Sequence, residues 1–206
     1  MKEKSLKPVI EKLESYFSKI NDKFYNGELQ KPVITVSPDN TKGAYGWCTS
    51  WKAWKASDNQ DDEGYYEINI CAEYLSRPFE EVIGTLMHEM VHLYNLQNGV
   101  KDTSRGGTYH NKKFKEAAEA HGLLPEKNEK YGWIGRKLND EAKAFVESMH
   151  ETKFDLFRET PVKIKGTSKQ SSRKYVCPCC GLIIRATKEV KVMCMECDMP
   201  LELEAA

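Results

Sequence analysis

The segment His88-Glu89-Met90-Val91-His92 contains the residue types of a hydrolytic metal site. Positions four apart lie on one face of a helix, so both imidazoles can reach one metal ion. Such an ion lowers the pKa of a bound water to about 7, and Glu89 can take the proton that the water loses. The same five residues also fit a buried helix whose histidines bond to backbone or carboxylate oxygens, so the rest of the chain has to decide.

A hydrolytic zinc site normally has three protein ligands and leaves a fourth position for water. The extended pattern with a further histidine six residues after His92 fails, because Asn98 stands there. His110 is the favoured third ligand, since it precedes a predicted helix and follows a glycine-containing loop that can fold back towards the motif. The alternatives are residues of that next helix: Glu116, Glu119 and His121.

The elements around the motif indicate an α+β fold in which helices pack on a small antiparallel sheet. The motif lies in an apolar run from about residue 80 to residue 99, which is apolar on nearly every side and is therefore predicted to be a buried helix. Period-two patterns predict three strands, and spacings of three to four predict three more helices. The strands cover residues 31–37, 44–54 and 65–71, and the helices cover residues 6–24, 111–121 and a segment capped by Asn139.

Five of the seven cysteines lie in the last thirty residues, in a pattern typical of a zinc ribbon. Cys177 and Cys180 form one C-x-x-C pair, and Cys194 and Cys197 form a second. Four thiolates close a tetrahedral structural site, and so small a module needs the metal for its stability. Rubredoxin-like iron or a redox pair is the alternative. Cys179 lies inside the first pair and is interpreted as a spectator, although it could compete as a ligand.

A change in composition marks a domain boundary before the cysteines. We predict a catalytic domain over residues 1–160, a basic linker over 161–173 and a zinc ribbon over 174–206. Residues 163–191 contain eight lysines and arginines against one acid, Glu189, although the whole chain has no net charge. These cations could contact a phosphate backbone, or they could be an ordinary solvated linker and hairpin.

Other features exclude some classes of protein. No apolar run is long enough to span a bilayer, and no apolar signal core follows Met1, so a cytoplasmic location is expected. Trp47, Trp51 and Trp54 could stack on bases, but packing in a core or cleft is favoured.

Three segments together resemble the SprT-like/Spartan metalloprotease family over about residues 6–124. They are Ile68-Asn-Ile-Cys-Ala-Glu-Tyr-Leu-Ser-Arg-Pro78, Gly84-Thr-Leu-Met-His-Glu-Met-Val-His-Leu93 and Gly107-Thr-Tyr-His-Asn-Lys-Lys-Phe114. The resemblance implies a zincin-like core with zinc on His88, His92 and His110 and with Glu89 as the catalytic base. It also implies peptide-bond hydrolysis, with DNA-bound or DNA-crosslinked proteins as substrates. A C-terminal zinc module is common in bacterial members.

The leading hypothesis is therefore a zinc endopeptidase with one catalytic and one structural zinc ion. Its substrate would lie along the strand at residues 65–71 if that strand is a sheet edge, and Tyr94 or Tyr109 could stabilise the oxyanion. The alternative is a nucleic-acid-binding zinc-ribbon protein whose protease-like domain is inactive or a scaffold. A zinc hydrolase with a substrate other than protein is a third hypothesis.

Overall fold

The computed structural model describes residues 4–39, 43–56, 63–159 and 172–204, and the chain divides into two units, Met1–Thr160 and Pro161–Ala206. The α+β fold class is confirmed. Most of the predicted basic linker, including Lys163, Lys165 and Lys169, lies outside the described residues, and Arg173 already belongs to a strand. The assignment of domain functions to these boundaries stays a prediction.

Helix α1 (Lys7–Phe24) matches the predicted first helix. Pro8 lies in its first turn, where the missing N–H costs nothing. Its apolar stripe, including Leu13, Phe17 and Ile20, is almost fully buried. After the helix, the side chain of Asn21 bonds to both the N–H and the carbonyl of Leu29 at 3.0 Å, which fixes the turn into the sheet.

The first sheet consists of β1 (Val33–Ser37), β2 (Gly46–Cys48) and β3 (Glu67–Cys71), in the order β1-β3-β2. The predicted small antiparallel sheet is present as a mixed sheet: β2 and β3 run antiparallel as expected, whereas β1 and β3 run parallel. After β1 the chain reverses direction and forms β2 at the opposite edge of the sheet. It then reverses again and forms β3, which lies between β1 and β2. The strand at residues 65–71 is therefore central, and β2 is an edge.

Helix α2 (Phe79–Gln97) contains the histidine motif, and thirteen of its nineteen residues are buried, which confirms the predicted buried helix. Two glycines, Gly46 on β2 and Gly84 on α2, allow β2 and the segment around Arg136 to approach helix α2 closely. A Cβ on Gly46 of β2 would lie 2.6 Å from the carbonyl of Asn69 and 3.5 Å from Cγ of Glu89. A Cβ on Gly84 would collide with the carbonyl oxygen of Arg136. Edge strand β2 and the segment around Arg136 thus lie directly on α2.

A second sheet, which the sequence does not predict, follows α2. Its strands β4 (Thr103–Ser104), β5 (Tyr109–His110), β6 (Glu126–Asn128) and β7 (Gly132–Ile134) are ordered β4-β5-β7-β6. The segment predicted as a flexible loop before His110 is a short hairpin whose turn contains Gly106 and Gly107 at positive φ. Helix α3 (Lys112–Ala120) starts directly after β5, and Asn111 caps it through hydrogen bonds from Lys113 and Phe114.

Helix α4 (Asp140–Glu147) completes the first unit, with Asn139 as its predicted cap at 2.8 Å from the N–H of Ala142. Ala142 and Val146 pack into the same core as α1, α2 and α3. None of the helices in the described part of the chain is long and apolar enough to cross a membrane.

The second unit contains β8 (Arg173–Val176), β9 (Ile183–Ala186), β10 (Met193–Cys194), β11 (Met199–Pro200) and β12 (Glu202–Leu203). Three strands form one sheet in the order β12-β8-β9, and β10 pairs with β11. The buried residues of this unit form a very small cluster: Tyr175, Cys177, Cys194 and Leu201. Burial of so few apolar side chains contributes only a few kcal/mol to the folding free energy of this unit, on the order of 1.5–3 kcal/mol per large side chain.

Candidate metal centres

Three imidazoles from two elements meet on one side of α2. His88 and His92 project from one face of that helix, and His110 is the last residue of β5. One nitrogen from each ring lies within 4.8 Å of the other two, in a group that could hold a metal ion. The structure thus brings the favoured third residue to the motif, while the role of these residues as ligands stays a prediction.

An oxygen atom outside the cluster binds the Nδ1 atom of each ring. His88 Nδ1 lies 2.8 Å from the carbonyl of Gly135, and His110 Nδ1 lies 3.3 Å from that of Tyr131. His92 Nδ1 lies 2.7 Å from Oδ2 of Asp102. Since a carbonyl or carboxylate oxygen only accepts, each Nδ1 carries the hydrogen and each Nε2 keeps its lone pair.

The three Nε2 atoms therefore have free lone pairs, with which they could coordinate a metal ion. Nε2 of His92 and Nε2 of His110 lie 3.1 Å apart. Two lone pairs approach so closely only when a proton or a cation lies between them. The donor set therefore fits a metal ion that prefers nitrogen ligands.

Burial keeps two of the three rings neutral. It lowers the pKa of His88 well below its usual value and lowers the pKa of His110 to about 4, with a further lowering of both from His92. Burial also lowers the pKa of His92, but the hydrogen bond to Asp102 and the charge of Glu89 outweigh it and raise the pKa. A metal ligand must be neutral imidazole, so His88 and His110 already have the required state near pH 7.

The ring of Phe114 closes the cluster from the side of α3. Its centroid lies 4.7 Å from that of His88, 5.0 Å from His92 and 4.5 Å from His110, and it is fully buried. Phe114 thus restricts the rotation of all three imidazoles and excludes water behind them.

Glu89 lies between α2 and edge strand β2. Its side chain is only 5% exposed, and it accepts a hydrogen bond from the backbone N–H of Cys48. Burial raises its pKa to about 7, although the charges of His92 and Arg136 oppose that shift. A carboxyl group with a pKa near neutrality can both accept and return a proton at physiological pH.

The alternative third ligands lie elsewhere. Glu116 and Glu119 are exposed, and Glu119 pairs with Lys115 at 3.2 Å. His121 bonds to the carbonyl of Phe24 at 2.7 Å and stacks on Tyr25 at 4.0 Å. In the described residues, none of the three belongs to the group around His88.

The two tyrosines considered for the oxyanion differ in their surroundings. The ring of Tyr94 packs against Tyr25 and His121, at 5.8 Å and 4.6 Å between centroids. Tyr109 is half-buried beside His110, with the guanidinium of Arg105 4.6 Å from its ring centroid. A part of either tyrosine in catalysis stays a prediction.

The expectation that the tryptophans pack in a core or cleft was wrong for two of them. Trp51 is 64% exposed and Trp54 is 44% exposed, whereas Trp47 on β2 is half-buried. The chain leaves β2 after Cys48, so the later tryptophans lie beyond the strand that packs on α2. Trp54 donates a hydrogen bond of 2.6 Å to Glu67.

Residues that sequence reasoning missed orient the imidazoles. Asp102 is 5% exposed and accepts a second hydrogen bond, from Asn95 at 3.0 Å. Asn95 lies one helical turn after His92, and that spacing is the available sequence signal for it. The carbonyls of Gly135 and Tyr131 leave no signal, because every residue has a carbonyl group.

The second candidate centre is the cysteine cluster of the second unit. The sulfur atoms of Cys177, Cys180, Cys194 and Cys197 all lie within 4.8 Å of one another, so this group could also hold a metal ion and fits a zinc ribbon. Gly181 and Asp198, which follow the two pairs, have the positive φ of tight turns. Cys179 is exposed, and its thiol lies within hydrogen-bonding reach of Cys197.

Comparison with known proteins supplies one match. The model of a family described as the SprT-like family matches residues 13–130, which is more than half of the chain. Neither the curated proteins nor the solved structures contain a match. The matched region contains all three imidazoles, Glu89 and Asp102.

Proposed function

Because the chain belongs to the SprT-like family, we propose that it is a zinc-dependent endopeptidase. One observation above all supports this proposal: three imidazoles with free Nε2 atoms converge beside a buried glutamate. Three protein ligands that leave a fourth position for water, with a carboxylate beside them, are a set of groups that suits hydrolysis at a mononuclear zinc site.

In this proposal His88, His92 and His110 hold the zinc ion. Two nitrogens bound to one tetrahedral zinc ion lie about 3.4 Å apart, close to the 3.1 Å between His92 and His110. The bound zinc ion would acidify a water molecule and polarise the scissile carbonyl. Asp102 and the carbonyls of Gly135 and Tyr131 keep the rings in the orientation that binding requires.

Glu89 is the proposed general base. It accepts the proton of the attacking water and passes it to the leaving amine, for which a pKa of about 7 is well suited. The backbone N–H of Cys48 holds its carboxylate in place. Since Cys48 belongs to edge strand β2, an extended substrate would pair with β2 rather than with central strand β3.

The four cysteines of the second unit are proposed to hold a structural zinc ion. Four thiolates fill a tetrahedral shell and leave no position for substrate. The apolar cluster of this unit is very small, so metal binding would supply most of its folding free energy.

Proteins bound or crosslinked to DNA are the proposed substrates, and the cytoplasm is the proposed location. Support for DNA comes from strands β8 and β9, where Lys174 lies opposite Arg185 and Arg173 lies opposite Ala186. Lys174 is paired with Glu204 at 2.6 Å, and Arg173 donates a hydrogen bond of 3.1 Å to the carbonyl of Thr187. Exposed Arg185 would therefore supply the main phosphate contact on this sheet.

The test is cleavage of a DNA-binding protein by the zinc-loaded chain, with and without single-stranded DNA. Glu89→Gln should keep two zinc ions and lose turnover by at least about a hundredfold. The matched control Glu116→Gln alters an exposed carboxylate and should cleave like the wild type. Undiminished activity of Glu89→Gln would overturn the mechanism, and DNA binding without cleavage would favour the alternative of a nucleic-acid-binding protein.

A further inference from the structure

The segment after β7 is fixed against α2 directly beside the three imidazoles. The carbonyl of Gly135 bonds to His88, and that of Arg136 lies against Gly84 of the helix. The carbonyl of Lys137 accepts a hydrogen bond of 2.8 Å from the N–H of Leu124. The backbone of Arg136 is therefore held on both sides, and its side chain starts one residue from a group that orients the site.

The guanidinium of Arg136 lies 4.1 Å from the ring centroid of Tyr45, and that of Arg77 lies 4.2 Å from the same centroid. Tyr45 immediately precedes Gly46, which packs on Glu89. Stacking on an aromatic ring fixes the plane of a guanidinium while its N–H groups stay available at the edge. Arg136 is thus oriented without using its hydrogen-bond donors.

The other two cationic side chains nearby, those of Arg77 and Lys137, already have hydrogen-bond or ion-pair partners. Arg77 donates to the carbonyl of Tyr74 at 3.0 Å and to Thr85 at 2.9 Å, and it also lies 3.7 Å from Glu81. Lys137 lies 3.7 Å from Glu126. Within the described residues the guanidinium of Arg136 has no hydrogen bond and no ion pair, and it is exposed.

An open cavity of about 290 Å³ lies at this guanidinium. Its lining contains three cationic side chains against two carboxylates, and the residues are Tyr45, Arg77, Glu80, Glu81, Arg136 and Lys137. Glu81 is partly neutralised by Arg77. The cavity therefore presents an unpartnered positive charge next to the proposed catalytic centre.

We propose that this cavity receives the substrate side chain adjacent to the scissile bond and that Arg136 selects an aspartate or glutamate there. The inference rests on the proposed peptidase function and names a substrate class for it. A guanidinium fork matches a carboxylate through two parallel hydrogen bonds, which is why an unpaired arginine favours an acidic side chain over its amide.

The experiment first locates the cleavage sites in an unfolded protein substrate by mass spectrometry. A matched set of peptides then carries Glu, Gln or Lys at the positions on either side of the cut. The wild type should cleave the Glu peptide about tenfold faster than the Gln peptide in kcat/KM at one of these positions, the size expected for one charge-assisted interaction. Arg136→Gln should abolish that preference, and Arg136→Glu should favour Lys.

The control Arg105→Gln removes another guanidinium that lies over a tyrosine ring, and it should keep the preference for Glu. Zinc content and thermal unfolding show whether each variant is folded. A preference that survives in Arg136→Gln would overturn the inference, as would an equal loss on all three peptides. Absence of any Glu89-dependent cleavage by the wild type would overturn the proposed function, and this inference with it.

Discussion

Asp102 and His92 are joined by a hydrogen bond of 2.7 Å between Oδ2 and Nδ1, and Asn95 donates to the same carboxylate oxygen. Burial alone would raise the pKa of Asp102, but the hydrogen bond and charge of His92 outweigh it and lower the pKa. The carboxylate is therefore ionised at neutral pH and holds His92 with Nε2 directed at the other imidazoles.

Asp102→Asn should weaken zinc binding at the histidine site by about ten- to a hundredfold. The amide oxygen can still accept from Nδ1, but it lacks the negative charge that makes the imidazole a stronger ligand. Competition with a chelator of known affinity measures the change. The control Asp155→Asn alters an exposed carboxylate and should bind zinc like the wild type; equal weakening in both variants would contradict the role of Asp102.

His110→Gln should reduce the zinc content from two ions per chain to one. His88 and His92 share one helix face, but two imidazoles alone leave a tetrahedral ion half-coordinated. Elemental analysis after dialysis gives the stoichiometry. His150→Gln changes an exposed histidine and should retain both ions, whereas retention of both ions by His110→Gln would show that the third ligand is another residue.

The cysteine cluster offers its own matched pair of variants. Cys180→Ser should lose the second zinc ion and make residues 172–204 sensitive to proteolysis, because the small apolar cluster cannot fold this unit alone. Cys179→Ser changes the neighbouring exposed thiol and should keep both the ion and the resistance to protease. If the two variants behave in the opposite way, Cys179 is a ligand and Cys180 is the spectator.

The metal-free protein should lose stability in the first unit as the pH falls from about 6.5 to about 4. Burial lowers the pKa of His110 from its usual 6.5 to about 4 and also lowers that of His88. In this window the unfolded chain binds more protons than the folded chain, so acidification favours unfolding. His92 and Glu89 oppose this trend, because the pKa of each is raised, that of Glu89 to about 7.

Thermal unfolding at several pH values measures this dependence. The melting temperature of the zinc-loaded protein should fall more steeply on acidification, since protons compete with the zinc ion for the Nε2 atoms. The Glu89→Gln variant removes the opposing carboxyl group, and a melting temperature of this variant that rises on acidification across the window would contradict the burial of neutral imidazoles.

Local spacing predicts part of this molecule well. A helical period is enough to place His88 and His92 on one face, and the apolar residues around them predict the burial of α2. The capping residues Asn111 and Asn139 also act within a few positions of themselves. Such features need no knowledge of the rest of the chain, because the interacting groups are neighbours in sequence.

Interactions between segments that are distant in sequence cannot be predicted from local spacing. The parallel pairing of β1 with β3 depends on where β2 inserts, and the spacing within each strand is the same for either direction. Arg136 lies at the site because Gly84 admits its backbone, and a glycine in an apolar helix does not say which segment approaches it. The same holds for Asp102, whose partner is ten residues away across a turn.

The hydrogen bond from His88 to the carbonyl of Gly135 joins residues that are 47 positions apart. During synthesis on the ribosome, the histidine motif leaves the exit tunnel well before the residues that orient its rings. A nascent chain therefore contains the histidine motif before it contains the groups that complete the candidate site. We therefore expect the proposed peptidase activity to await Gly135, which directly follows the last strand of the second sheet.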